Sequence, residues 1–179
     1  MRTRVGYAGG TTPNPTYHQI GDHTETIQIV YDPEVITYEA LLHIFWENHD
    51  PFARAWSAQY RSMVFTHDDT QAKILQNSIQ QLEAAKGRQV QTVIRSEVTF
   101  YSAEDYHQKY YLQNRRELFG EVKSQFDTFN AFVDSTTAAR VNGYLAGHGT
   151  PEQMEEDLKW MNLSAEAEQQ LRRMAAAYW

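Results

Sequence analysis

Cysteine is missing from all 179 residues. That excludes disulfides and thiolate metal sites within them. Long apolar runs are missing as well. Nothing approaches the roughly 20 residues a bilayer span needs, and the N-terminus has no signal-peptide core. A cytoplasmic location is therefore the expectation, with no membrane partner. Basic residues are in the minority, 16 Lys and Arg against 23 Asp and Glu, for a net charge of −7. Binding phosphates takes clustered cations, so this balance argues against a nucleic-acid partner. The acidic residues are spread along the chain and read as solubility rather than as a site. Without cysteine, the seven histidines are the natural metal ligands. None has H-E-x-x-H or facial-triad spacing, so neither a metal nor another cofactor is expected.

What is present suits a folded core: 41% hydrophobic residues, 13% of the chain aromatic. The length fits one domain, or one domain with a helical appendage. No internal repeat, linker or low-complexity tract interrupts it.

Hydrophobic periodicity divides the chain into a part that mixes strands and helices and a helical part. Residues 24–31 alternate, with Ile27, Ile29 and Tyr31 on one face, and Asp32-Pro33 ends that strand. Thr37 caps a helix over 38–48, which His49-Asp50-Pro51 stops. Residues 52–62 form an aromatic-rich loop, followed by a short strand at 63–66. Asp68 to Gln71 reads as a capping box opening a helix to Lys86, with Gly87 at C′. Strands are expected over 90–94 and 98–101, and Ser102 with Asp105 opens the next helix. After Leu112 the pattern is helical throughout. Leu118, Val122 and Phe126 recur at helical spacing, and so do Phe129 and Phe132 or Val133. Ser135 caps a helix over 136–146, Thr150-Pro151-Glu152-Gln153 starts another, and Ser164 begins a last one to Tyr178. The expected domains are residues 1–112 and a helical extension over 113–179.

One stretch organises the rest: Arg4-Val5-Gly6-Tyr7-Ala8-Gly9-Gly10-Thr11-Thr12-Pro13-Asn14-Pro15-Thr16-Tyr17. A strand runs into a Gly-Gly turn, and two prolines stiffen the loop beyond it. Glycines permit close backbone approach and positive φ; prolines fix the path. Such a frame presents Tyr7 and Tyr17 rigidly, although an ordinary strand-to-loop turn has the same composition.

Val5 to Gly10, followed by Asn14-Pro15-Thr16-Tyr17, resembles peptide methionine sulfoxide reductase A. Further matching motifs follow in family order: Val30-Tyr31-Asp32-Pro33, Phe45-Trp46-Glu47-Asn48-His49-Asp50-Pro51, Gln59-Tyr60-Arg61-Ser62 and Phe100-Tyr101-Ser102-Ala103-Glu104-Asp105-Tyr106-His107-Gln108. The resemblance covers residues 4–112. It implies an α+β fold, a mixed β-sheet flanked by helices with a ferredoxin-like core. The helical extension departs from the family pattern, whose tails are often loops carrying resolving cysteines. The implied activity is thiol-dependent reduction of methionine S-sulfoxide, free or in proteins, with thioredoxin or another thiol as reductant.

That chemistry needs a soft nucleophile at sulfur and an acid at the departing oxygen. By resemblance, Tyr7 and Tyr60 donate hydrogen bonds to that oxygen; the bland alternative is that each packs its ring and bonds a backbone group. The family glutamate two residues after Asn-Pro-Thr-Tyr falls on Gln19, whose amide can donate a hydrogen bond but cannot deliver a proton. Glu25 matches the glutamate of the family's Gly-His-Ala-Glu segment. It is either recruited as the acid or lines a strand beside His23. A family aspartate five residues before Tyr60 falls on Ala55. Neighbouring Trp56 either walls the pocket, alongside Tyr17, or simply packs.

The family nucleophile lies in Gly-Cys-Phe-Trp-Gly, upstream of the first motif, and these 179 residues contain no such segment. Three explanations compete. The protein starts further upstream and Met1 is internal, with selenocysteine as the nucleophile in a sharper variant. Or the chain is a binding module that keeps the sulfoxide pocket without the chemistry. Or it is an assembly protein whose helices carry the function. In each case the 179 residues alone are expected to be inactive.

Overall fold

Five strands and eight helices make up the described residues, 1–96 and 98–179 of a computed structural model. Strand β1 (Arg2–Ala8) lies between β2 (Thr24–Val30) and β5 (Tyr101–Ser102). It runs antiparallel to β5, with Gly6 opposite Ser102 and Tyr7 opposite Tyr101. β3 (Met63–Thr66) and β4 (Val93–Ser96) form a separate parallel pair. Parallel neighbours need a crossover, and α2 (Asp69–Lys86) supplies it. The architecture is α+β, with the strands divided between two small sheets.

Local signals account for the helix ends. The Thr37 hydroxyl accepts from the Ala40 N–H at the start of α1 (Tyr38–Glu47). Asp68 accepts from the Gln71 N–H ahead of α2, and Gly87 closes that helix at φ 62°. Leu42 of α1 and Leu75 and Ile79 of α2 form a buried cluster, with Tyr38, Trp46, Val64 and Val90 packed against it.

The chain divides into two compact units. One comprises Met1–Val5, Gln28–Val30 and Ala103–Trp179; the other comprises Gly6–Ile27 and Tyr31–Ser102. The first holds α3 (Tyr110–Gln113), α4 (Arg116–Ser124), α5 (Phe129–Val133), α6 (Thr136–Leu145), α7 (Pro151–Leu158) and α8 (Ala165–Ala175). Its core is built on Phe132, whose ring meets those of Phe119, Phe126 and Phe129 at 5.4, 6.4 and 5.5 Å. Leu118, Val122, Val141, Met161 and Leu171 are buried in the same cluster. A full capping box opens α7, with Thr150 and Gln153 exchanging side-chain bonds to each other's backbone. No helix among the described residues is long and apolar enough to cross a membrane.

Several boundaries differ from the sequence expectation. The strand expected over 90–94 forms at Val93–Ser96 instead. Val90 packs against the α1–α2 cluster, its N–H donating to Glu83 Oε1 at 2.8 Å, while the Gln91 N–H donates to the Pro51 carbonyl at 2.7 Å. Those bonds take the backbone out of the ladder. The strand expected over 98–101 contracts to Tyr101–Ser102, and the helix expected after Ser102 is a single 3₁₀ turn, Asp105–His107. Gln108 explains the interruption. Its carboxamide accepts from the Val5 N–H at 3.0 Å and donates to the Val5 carbonyl at 2.8 Å, as a neighbouring strand would. Its own backbone is extended, and Lys109 turns left-handed at φ 50° before α3 begins. The last helix ends at Ala175 rather than Tyr178.

Candidate active site

Tyr7 sits in β1 with only 2% of its surface exposed. The strand passes β5 closely: a Cβ on Gly6 would stand 2.2 Å from the Tyr101 carbonyl oxygen, so only glycine fits there. The chain then turns at Gly9, φ 82°, into the loop whose stiffness the sequence implied.

Prolines alone do not hold that loop. The Asp22 carboxylate accepts from the backbone N–H groups of Thr11 and Thr12 and from both threonine hydroxyls, at 2.8 to 3.0 Å. These bonds, the Thr12 N–H foremost, hold the carboxyl well below the usual carboxylate range. His23, 1% exposed, completes the latch. Its Nδ1 accepts from the Gly10 N–H at 3.2 Å, so its Nε2 carries the proton and donates to the Thr12 carbonyl at 2.8 Å. The ring also meets Tyr101, the cross-strand partner of Tyr7, edge to face at 5.4 Å. A Cβ on Gly10 would come within 2.5 Å of Asp22 Oδ1 and 2.7 Å of the His23 backbone nitrogen. The backbone can approach its latch because Gly10 has no side chain.

Tyr17 and Gln19 share one tight turn. Thr16 and Gln19 exchange backbone hydrogen bonds at 3.0 and 3.3 Å, and Tyr17 between them is 42% exposed, its ring edge to face with His18. Glu25 opens outward near the start of β2 and is tied twice to Gln59. Gln59 Nε2 donates to Glu25 Oε1 at 2.8 Å, and the Glu25 N–H donates to the Gln59 carbonyl at 3.1 Å. Gln59 immediately precedes Tyr60, so the carboxylate is fastened beside the residue that carries the second tyrosine. Tyr60 is 50% exposed, and Trp56, 83% exposed, lies against it with ring centroids 5.0 Å apart. Two more bonds join this loop to the β2 start: Arg61 donates to the Asp22 carbonyl at 3.1 Å, and the Thr24 hydroxyl donates to the Ala58 carbonyl at 2.8 Å.

Glu25, Trp56 and Tyr60 therefore gather in one neighbourhood, with Gln59 as the link. Tyr17 and Gln19 lie on the turn between the glycine loop and that neighbourhood in the chain. Tyr7 differs from Tyr60 in being buried within a strand. Asp22, the bond Arg61 makes to it and the latching role of His23 escaped the sequence analysis. The only signal for the latch was an acid between Gly21 and His23 with threonines ten and eleven residues earlier, a spacing no local rule interprets. No group of three or more metal-ligating side chains occurs among the described residues.

A family model described as peptide methionine sulfoxide reductase matches residues 1–139. A Drosophila melanogaster peptide methionine sulfoxide reductase is 39% identical over 170 residues, covering 92% of this chain and 66% of that protein. The MsrA enzyme of Escherichia coli is 43% identical over 126 residues, 63% of this chain and 59% of its own length. Among solved structures, reduced Mxr1 of Saccharomyces cerevisiae superposes with a TM-score of 0.58 at 32% identity, over 64% of this chain and 71% of that one. The chain thus spans about three fifths to two thirds of the length of these curated relatives.

Proposed function

The chain belongs to the peptide methionine sulfoxide reductase family, and from that premise we propose that it serves the thiol-dependent reduction of methionine S-sulfoxide, free or in proteins. In that reaction a thiolate attacks the sulfoxide sulfur and forms an S–S bond while the acid gives its proton to the oxygen; the hydroxyl then passes to the nucleophile as the S–O bond of the substrate and the new S–S bond break, leaving methionine and a sulfenic acid. A second thiol, from thioredoxin or a similar reductant, then clears it.

The residues of this chain act on the oxygen. Tyr7 and Tyr60 donate hydrogen bonds that strengthen as negative charge builds there. Glu25 is the acid, and one observation carries this choice over Gln19: its carboxylate is bonded to Gln59, the neighbour of Tyr60. Gln19 has an amide, which has no proton of suitable acidity to give. Trp56 and Tyr17 wall the methyl group, an assignment supported by their exposed aromatic faces.

The sulfur nucleophile is not among the 179 residues, because none is cysteine. Hydroxyls and carboxylates cannot replace a thiolate at sulfur, so these residues alone bind sulfoxide without reducing it. The test incubates the 179-residue protein with dithiothreitol and a methionine S-sulfoxide peptide. Binding is expected in a titration followed by NMR, with turnover no greater than the reagent blank. Tyr60→Phe should weaken binding by about five- to tenfold, the worth of one hydrogen bond. Turnover above the blank would overturn the inactivity, and no binding would overturn the site. The missing thiol also favours a second reading, a sulfoxide-binding module. A longer form of the protein that binds the peptide yet never turns it over with thiol would establish that reading instead.

A further inference from the structure

Five methionines occur in the chain, and one of them is built into the frame of the candidate site. Met154 and Met161 are buried in the helical core, and Met174 packs against it. Met63, partly exposed, is the first residue of β3 and follows directly on the 52–62 loop. The Thr24 hydroxyl stands 3.1 Å from Met63 Sδ and 2.8 Å from the Ala58 carbonyl oxygen. A Cβ on Gly9 would lie 3.0 Å from Met63 Cε and 3.0 Å from the Phe65 ring, so the thioether fills the space against the Gly9 turn. One soft side chain thus touches both the glycine turn and the start of β2.

We propose that Met63 is a peroxide-modified residue whose oxidation loosens the loop and strand start that carry the candidate site. A sulfur lone pair attacks one oxygen of the peroxide and the O–O bond breaks. The other oxygen takes up a proton and leaves as water. Sulfur gives up two electrons and the peroxide is reduced. Two consequences follow from the contacts. The sulfoxide oxygen is a far stronger acceptor than the thioether it replaces. It competes for the single Thr24 hydroxyl proton, and the bond to Ala58 is surrendered. The added oxygen also needs room where Gly9, Met63 and Phe65 are already in contact, so the turn must shift. The start of β2 and the 58–62 loop lose one of the bonds that join them, close to Glu25 and Gln59. That this affects sulfoxide handling rests on the proposed function; the oxidation and the loosening do not.

The experiment treats the 179-residue protein with dilute hydrogen peroxide. Peptide mass spectrometry follows oxygen uptake at each methionine, and hydrogen exchange follows residues 9–12 and 24–25. Met63 is expected to gain oxygen at least about fivefold faster than Met154 and Met161, because the latter are shielded. Exchange in both segments is expected to rise severalfold in treated wild type, in step with the fraction oxidised at Met63. In treated Met63→Leu, which keeps the other four methionines, it should stay at the untreated level. Uptake at Met63 no faster than at Met154 would overturn the proposal. So would an exchange rise in wild type that ignores Met63 occupancy, or an equal rise in the leucine variant. If the sulfoxide peptide does not bind at all, the proposed function fails while the exchange result still decides this inference.

Discussion

At the scale of single residues, Lys109 shows how burial changes chemistry. Its ammonium is buried and donates to the Thr3 carbonyl and the Thr3 hydroxyl. Desolvation pulls its pKa down from 10.5 to about 8, against the raising influence of Asp134. Between those values the unfolded chain binds more protons than the folded one, so stability rises with pH through that window. The rise is on the order of 2 kcal/mol. Urea unfolding near neutral pH and near pH 10 is expected to show it in wild type, and Lys109→Met is expected to flatten it. An equal rise in the variant would assign it to other groups. Asp134, which faces this lysine, is itself held low by Arg4, whose guanidinium bonds it at both ends.

At the scale of elements, the glycine loop depends on residues ten or more positions away. Asp22 and His23 bond its backbone, while the Gly9 and Gly10 positions leave room for them. The carboxyl of Asp22 is depressed, so its contribution is present above the ordinary carboxylate range and is lost only as pH falls through its lowered folded value. Amide exchange at Thr11 and Thr12 should therefore stay slow at about pH 4, where ordinary aspartates begin to protonate. In Asp22→Asn, one acceptor oxygen must serve donors that two oxygens serve now, and those amides should exchange severalfold faster at any pH. Unchanged exchange in the variant would mean that the prolines alone hold the loop. The same scale explains what was legible. Caps at Thr37, Asp68, Ser135, Thr150 and Ser164 could be read directly, because a cap is settled within four residues. The place of β4 could not, because Gln91 pairs with Pro51 and Val90 with Glu83.

At the scale of the molecule, the two units differ in how much apolar surface they seal. Among the described residues, the helical unit buries a cluster of fifteen, whereas the cluster between α1 and α2 has three. Phe132, fully buried among three other phenylalanines, is the keystone of the larger one. Phe132→Ala is expected to cost about 3–5 kcal/mol and to lower Tm by roughly 10 °C for a chain of this size. A shift of only a degree or two in a calorimetric scan would show that the cluster collapses around the gap.

The family, the α+β class, the helix starts and the motif tyrosines could all be read from the order of residues. Each of these is encoded locally, in motif order, in 3.6-residue periodicity or in a cap and its third neighbour. The sequence also shows that none of the 179 residues is a cysteine. That Asp22 and His23 latch the loop, that Gln59 links Glu25 to Tyr60, and that Gln108 stands in for a strand beside Val5 emerges only from the folded chain. Those contacts join residues that are far apart in the chain. The chain chooses them because every backbone donor and acceptor left without water must find a partner, and which partner is nearest depends on how the elements pack.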